Sequence, residues 1–403
     1  MHPRLAALLA LMVVGWLGSA LEPVAAADWV IVPQIKMEGQ YDSNINFSFV
    51  RRQSDFVLNL SPSADFTYAS ETTQLTGRVA LTGLIYAKNS SLDVLNQYYT
   101  VMAQKQVAPR LALTFDGGYT LDTTLYEELT ASGYIMNRSR REALRAAPGL
   151  AFNLTERAIF KAGYAFYLTD YQDPRFTDYT QHVGNLQLNY LLKNAKTTVS
   201  AMILGRAVSY PAIHNFYHNL GTYAGLEHKF TEDWSLSLFG GLNCNWFTSQ
   251  TKVLDFEAFP FIRVRQKKQE TFSLTPFFNI EGKRKWEKAG LAFGYRLDQS
   301  PSAGGTILEY HNAYARLNYQ ATERFSLGLG GSLYYSTATS PGTTYDNLVV
   351  YLSPELNYRI TERLTAGSGY RYGWRNDLAR ERTTERHFVW VNLSFAYPLH
   401  YQK

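Results

Sequence analysis

The sequence holds one cysteine, Cys244, so no disulfide can form within the chain and the fold must be held by packing and backbone hydrogen bonds. Past Ala27 there is no apolar run of the ~18–20 residues that a membrane-crossing helix needs, which excludes a helical membrane protein. Neither sign of charge dominates: 39 basic residues face 34 acidic ones, and no basic stretch is long enough to suggest a nucleic-acid partner. Motifs that carry chemistry are missing too. There is no G-x-S-x-G, no phosphate-binding glycine loop, no Cys/His cluster and no CxxCH. His214 and His218 stand four apart, a metal spacing on a helix but not on an extended segment. The reading is therefore non-enzymatic, with no cofactor and no metal.

What is present in quantity is aromatic: 29 Tyr and 23 Phe, although mean hydropathy is below zero. Tyr suits a water–lipid boundary. In a transmembrane β-barrel, lipid-facing apolar residues alternate with polar lumen residues, and the average hides them.

The N-terminus has a short basic start (His2, Arg4), an apolar run of 14 residues from Leu5 to Gly18, and a small-residue stretch at Ala25 to Ala27. This is the pattern of a secretory signal peptide over residues 1–27, leaving residues 28–403 as one exported unit.

The stretch WSLSLFGGLNCNW shows what that unit is made of. Trp234, Leu236, Leu238, Leu242, Cys244 and Trp246 share one parity, and mostly polar or small residues fill the other. Period-two alternation is a β-strand. Twelve steps of ~3.3 Å span roughly 40 Å, enough for a tilted strand to cross an apolar band with an aromatic residue at each edge. Trp234 and Trp246, with Phe395 and Tyr397 near the C-terminus, are the expected lipid-interface girdle.

Turn clusters recur every 38 to 50 residues. Four are near copies: Thr155-Glu156-Arg157, Thr231-Glu232-Asp233, Thr322-Glu323-Arg324 and Thr361-Glu362-Arg363. Ala108-Pro109-Arg110 is a variant, and looser candidates lie near Ser70, Asn194 and Gly282. Eight short turns alternate with longer polar connections such as SYPAIHNFYHN and DQSPSAGGTILE, the asymmetry between periplasmic turns and extracellular loops. The fold class expected is all-β: a transmembrane antiparallel up-and-down β-barrel of about 18 strands, with 16 as the alternative. The count is least secure over residues 248–285, and Phe256 to Phe261 is a candidate inward plug.

Assigning the apolar parity to lipid turns the other parity inward. Lys36, Arg78, Lys105, Lys161, Arg206, Arg296, Arg316 and Arg371 then face the lumen, with Glu38, Asp65, Asp116, Glu227 and Glu355 as acidic counterparts. Basic slightly exceeds acidic, which would favour anions, unless the charges pair across neighbouring strands. Tyr126, Tyr134, Tyr171, Phe176, Tyr179, Tyr210, Phe216 and Tyr217 lie in or beside the long loops, as interface anchors or a track for sugar rings. The basic run Arg263 to Lys268 is a candidate contact for lipopolysaccharide phosphates.

Two resemblances follow. The ending VWVNLSFAY, with Phe395-x-Tyr397, resembles the signal that barrel-assembly machinery recognises, although six more residues follow it. The segment from Gly39 to Ser70 resembles the start of a family of outer-membrane β-barrel porins of Gram-negative bacteria, through Tyr41, Asp42 and Asn44, then Ser54, Asp55 and Phe56, then Leu60 and Pro62. That resemblance implies an outer-membrane location and barrels encoded beside exopolysaccharide or capsule export genes, some of which pass polymer. The expected partners are outer-membrane lipid and lipopolysaccharide, the assembly machinery, and polysaccharide or periplasmic export components. Three functions stand open: a channel for an exported polysaccharide, a general or selective diffusion porin for small solutes, and a scaffold or sheath for a periplasmic partner.

Overall fold

The structure, a computed structural model, describes residues 28–123, 138–255, 263–340 and 343–402. Residues 1–27, where a signal peptide is expected, Tyr126, Tyr134 and the Phe256 to Phe261 segment lie outside them. The first nine strands are β1 (Asp28–Asp42), β2 (Asp55–Ala69), β3 (Thr73–Tyr86), β4 (Val94–Ala108), β5 (Leu111–Thr123), β6 (Arg140–Asn153), β7 (Ala158–Tyr171), β8 (Tyr179–Leu191) and β9 (Thr197–Tyr210). Next come β10 (Asn215–Lys229), β11 (Trp234–Asp255), β12 (Arg263–Lys285), β13 (Ala289–Pro301) and β14 (Ile307–Gln320). The chain ends with β15 (Phe325–Ser340), β16 (Thr343–Arg359), β17 (Leu364–Asp377), β18 (Arg382–Ala396) and the short β19 (Leu399–Gln402).

Each strand pairs antiparallel with its neighbours in sequence, and β1 closes the ring by pairing with β18 as well as β2. Eighteen strands make the barrel. β19 is the continuation of β18 beyond Pro398, pairing with Asp28–Ile31 of β1, so the residues after Tyr397 extend the seam. Closure leaves no sheet edge, the condition for backbone to cross hydrocarbon. The region around residues 248–285 adds strand length: β11 and β12 are 22 and 23 residues long.

The repeated turn has a physical cause. The Thr155 hydroxyl accepts the backbone N–H groups of Arg157 and Ala158, at 3.2 and 3.0 Å. Thr322 does the same for Arg324 and Phe325, and Thr361 for Arg363 and Leu364. One side chain thus satisfies the donors of a reversal too tight for its own backbone to do so. One turn is displaced from its expected place. Gly282 lies inside β12, where the Phe293 ring crosses the space a side chain would need, and the reversal falls at Trp286–Lys288.

The outer face carries the apolar parity. Leu238, Leu242, Leu274, Val391 and Phe272 are exposed, as are Trp234 (36%) and Trp246 (45%) at the two ends of their strand. Phe395 and Tyr397 are exposed as well, and Arg363 lies over the Tyr397 ring at 4.2 Å. On the polar side of these walls is the lumen.

Candidate functional site: the lumen and its two inward segments

Strand pairing decides which side chains share a face, and it turns ten of the eleven selectivity candidates inward. Lys36, Arg316, Glu355 and Arg371 line a central cavity of about 1230 Å³, between the β14–β18 wall and the β1–β5 wall. Arg78 sits opposite Asp65, Arg206 opposite Asn219, and Arg296 opposite Asn279 and Asn312. Asp116, Lys161 and Glu227 fall on the same inward parity of β5, β7 and β10. Lys105 does not. It pairs with Thr73 and Leu113, on the face where Leu75, Ala103, Phe66 and Phe115 form an external apolar cluster. In QYYTVMAQKQVA each parity mixes apolar or aromatic residues with Gln, Thr or Lys, so no clean alternation told inside from outside. At the periplasmic end of β4, a long lysine stem on the outer face can reach the headgroups.

Most inward charges are paired. Lys36 meets Glu38 at 2.5 Å, Arg78 meets Asp65 at 3.3 Å, and Arg145 meets Asp116 at 3.0 Å. Arg296 bonds Asp298, which Arg206 also approaches at 4.0 Å. The residues missed from sequence complete these pairs: Arg145, Asp298, and the buried pair Arg141–Asp122 at 2.8 Å. The signal was present for some, since Lys36/Glu38 and Arg296/Asp298 are two apart and so share a strand face. Among the described residues Lys161, Arg316, Glu227 and Glu355 have no ion-pair partner, and all four are exposed. Arg371 donates to Ser353 Oγ at 3.1 Å and lies about 6 Å from the Phe388 and Trp390 rings.

Two extracellular connections fold into the barrel. The first, residues 43–54, carries the motif of the family resemblance. Asp42 accepts a fork of hydrogen bonds from Arg386 at 2.6 to 3.1 Å. Asn44 donates to Ser48 O, Thr384 Oγ1 and Glu385 O. Phe47, fully buried, packs on Val349 with Tyr334 and Tyr351, while Arg375 lies over Phe49 at 4.4 Å. Asp55 gathers the backbone N–H groups of Phe56, Lys88 and Asn89.

The second is the β13–β14 connection, residues 302–306, which reaches across to β9 and β10. Arg206 donates to Gln299 O at 2.7 Å, Tyr210 to Thr306 O at 3.0 Å and Asn215 to Gly305 O at 3.1 Å. Thr177 N donates to Ala303 O at 2.8 Å. Here the loop aromatics find their place. Tyr210 is 0% exposed, and Tyr171, Phe176 and Tyr217 are buried with it, with Tyr179 packed against them. They are a core beneath an inward segment, available neither to lipid nor to a sugar; Phe216, on the outer parity, is exposed.

A closed antiparallel barrel with an apolar exterior, a polar charged lumen, short turns at one end and longer connections at the other defines a transmembrane β-barrel of the Gram-negative outer membrane. Eighteen strands place it in the size range that encloses an aqueous channel. Solved structures of similar form include the outer membrane protein OpdK of Pseudomonas aeruginosa, at 11% identity and TM-score 0.46, covering 92% of this chain and 99% of that one. A BenF-like porin of Pseudomonas fluorescens Pf-5 has 10% identity and TM-score 0.46 over 93% and 99%. A loop-deletion mutant of OmpT, an outer membrane protein of Vibrio cholerae, has 10% identity and TM-score 0.41 over 92% and 100%. Values this low describe barrel form alone, and no residue role is carried over from them. No family model matches the sequence, and no curated protein matches it either.

Proposed function

We propose that the protein is a passive diffusion channel for small hydrophilic solutes, with a wall that favours anions. The observation that carries this reading is the cavity of about 1230 Å³, lined by Asn, Ser, Tyr and charged side chains. Nine charged side chains line it, five basic (Lys36, Arg138, Arg316, Arg371, Arg386) and four acidic (Glu38, Asp42, Asp122, Glu355), and the acids Glu38, Asp42 and Asp122 are paired with Lys36, Arg386 and Arg141. A charge on a low-dielectric wall acts on passing ions more strongly than it would in bulk water. Polymer export, the first expectation from the family resemblance, has less support. The segments 43–54 and 302–306 fold inward at the extracellular end, where a polymer would have to leave. A scaffold role has no dedicated surface among the described residues to support it.

The test is ion conductance of the refolded protein in a planar bilayer under a salt gradient. Steady steps with a reversal potential on the chloride side are expected, and Arg316→Glu should move that potential toward the cation side. Folded protein that inserts and passes no current would remove the diffusion reading.

A further inference from the structure

The wall of the lumen cavity has a floor without side chains. On β15 the inward positions Gly328 and Gly330 lie between β14 and β16, and the register fixes what borders them. Gly330 stands between Arg316 and Ser353, and Gly328 between Asn318 and Glu355. Arg316 and Asn318 are two apart on β14, as Ser353 and Glu355 are on β16, so all four share the inward face. With strands ~4.8 Å apart and ~3.4 Å per residue, they mark the corners of a rectangle of roughly 10 by 7 Å.

The two ends of this floor differ in character. At the Gly330 end are guanidinium groups. Arg316 is exposed, and Arg371 donates from Nε to Ser353 Oγ at 3.1 Å, which holds it at the Ser353 corner. At the Gly328 end are acceptors. A Cβ placed on Gly328 would lie 3.6 Å from Asn318 Oδ1 and 3.9 Å from Glu355 Oε2, so an amide oxygen and a carboxylate oxygen converge above that glycine. Elsewhere in the lumen neighbours of opposite charge are bonded, as Arg78 is to Asp65 and Arg145 to Asp116. Here Arg316 and Glu355 stand on either side of the glycines, both exposed, and form no ion pair among the described residues. Apolar surface borders the acceptor end. Gly369 follows Glu355 in the same row, and the Trp390 ring covers its open position.

We infer that this floor binds a small zwitterion of the α-amino acid type, its carboxylate on Arg316 and Arg371 and its ammonium between Asn318 Oδ1 and Glu355 Oε2. The inference rests on the channel reading above and sharpens it, because a solute reaches the floor only through the lumen. The two ends select the class. A simple anion would set its charge beside Glu355 with nothing to offset the repulsion, and a simple cation would meet two guanidinium groups. A solute carrying both signs satisfies both ends, and hydrogen bonds to ionised groups are about twice as strong as neutral ones. The Trp390 ring gives an apolar side chain a surface to rest on.

Three solutes of one shape separate the charges: L-phenylalanine, hydrocinnamate, which lacks the ammonium, and phenethylamine, which lacks the carboxylate. The measurement is how long each interrupts the current through a single channel of the refolded protein. L-phenylalanine should dwell about tenfold longer than either analogue. Glu355→Gln should shorten its dwell to that of hydrocinnamate, and Arg316→Gln should shorten it toward that of phenethylamine. Heat-modified electrophoretic mobility establishes that each variant is folded. Hydrocinnamate dwelling as long as L-phenylalanine overturns the inference in favour of a plain anion site, and phenethylamine doing so overturns it in favour of a cation site. A conducting channel that none of the three interrupts overturns it and leaves the diffusion reading standing. Folded protein that passes no current removes the diffusion reading instead, and titration calorimetry of that protein in detergent then decides this one. L-phenylalanine bound about tenfold tighter than both analogues supports it, and equal or absent binding overturns it.

Discussion

The two inward segments do similar work by different means. Segment 43–54 is held by ionised and amide side chains: the Arg386 fork on Asp42, the three donations from Asn44, and Arg375 over Phe49. Segment 302–306 is held mainly through its backbone carbonyls, accepting from Tyr210, Asn215 and Thr177, over a floor of buried aromatics. A side-chain anchor is decided by a few residue identities, and a single substitution can undo it. A backbone anchor over an aromatic floor spreads the same task over many positions and tolerates change at most of them.

The sharpest way to break that contrast is Asp42→Ala. It leaves Arg386 buried without its carboxylate, and breaking a buried pair from one side costs about 3–5 kcal/mol. The expected results are a lower denaturant midpoint and a larger, noisier bilayer conductance as segment 43–54 detaches. The double variant with Arg386→Met should recover part of both, because it removes the unpaired charge. A smaller effect is expected at Gly305, whose φ of +74° favours glycine and whose missing side chain faces Ile213. Gly305→Ala should cost about 1–2 kcal/mol through the left-handed backbone alone and loosen only the 302–306 side. The smallest effect belongs to Tyr217→Phe. It removes a hydroxyl that donates to Asn245 at 2.6 Å beside the Gln299 amide, a loss of about 1 kcal/mol. If Tyr217→Phe destabilised as much as Asp42→Ala, the two segments would not differ in kind.

Where a strand's two faces differ in polarity, the barrel was legible. Trp234 to Trp246, the strands after the Thr-Glu-Arg turns and the last strand all lie as their alternation implied. Where both parities mix apolar and polar residues, as in β4, Lys105 went to the wrong face. The segment from Tyr41 to Phe56 stood out as a motif, but its use did not, because Asp42 and Arg386 are 344 residues apart and nothing local pairs them. Segment 302–306 read as a plain polar loop. Its glycine and serine composition is that of any turn, and its partners Tyr210 and Asn215 are about ninety residues away. Side chains that fill a lumen obey contacts across the barrel, and strand periodicity carries no information about those.

The seam sets an order of events on making the protein. β1 is the first strand to emerge from synthesis, and one of its flanks waits for β18 and β19, the last. Until then its edge is an open row of donors and acceptors beside Met37 and Tyr41, the kind of edge that recruits foreign strands. Contacts of such long sequence separation are slow to form unaided, because the loop must close before they contribute. The chain therefore spends its unassembled life with one end exposed to mispairing, so the seam between its first and last strands is where the architecture stays open to error until the barrel closes.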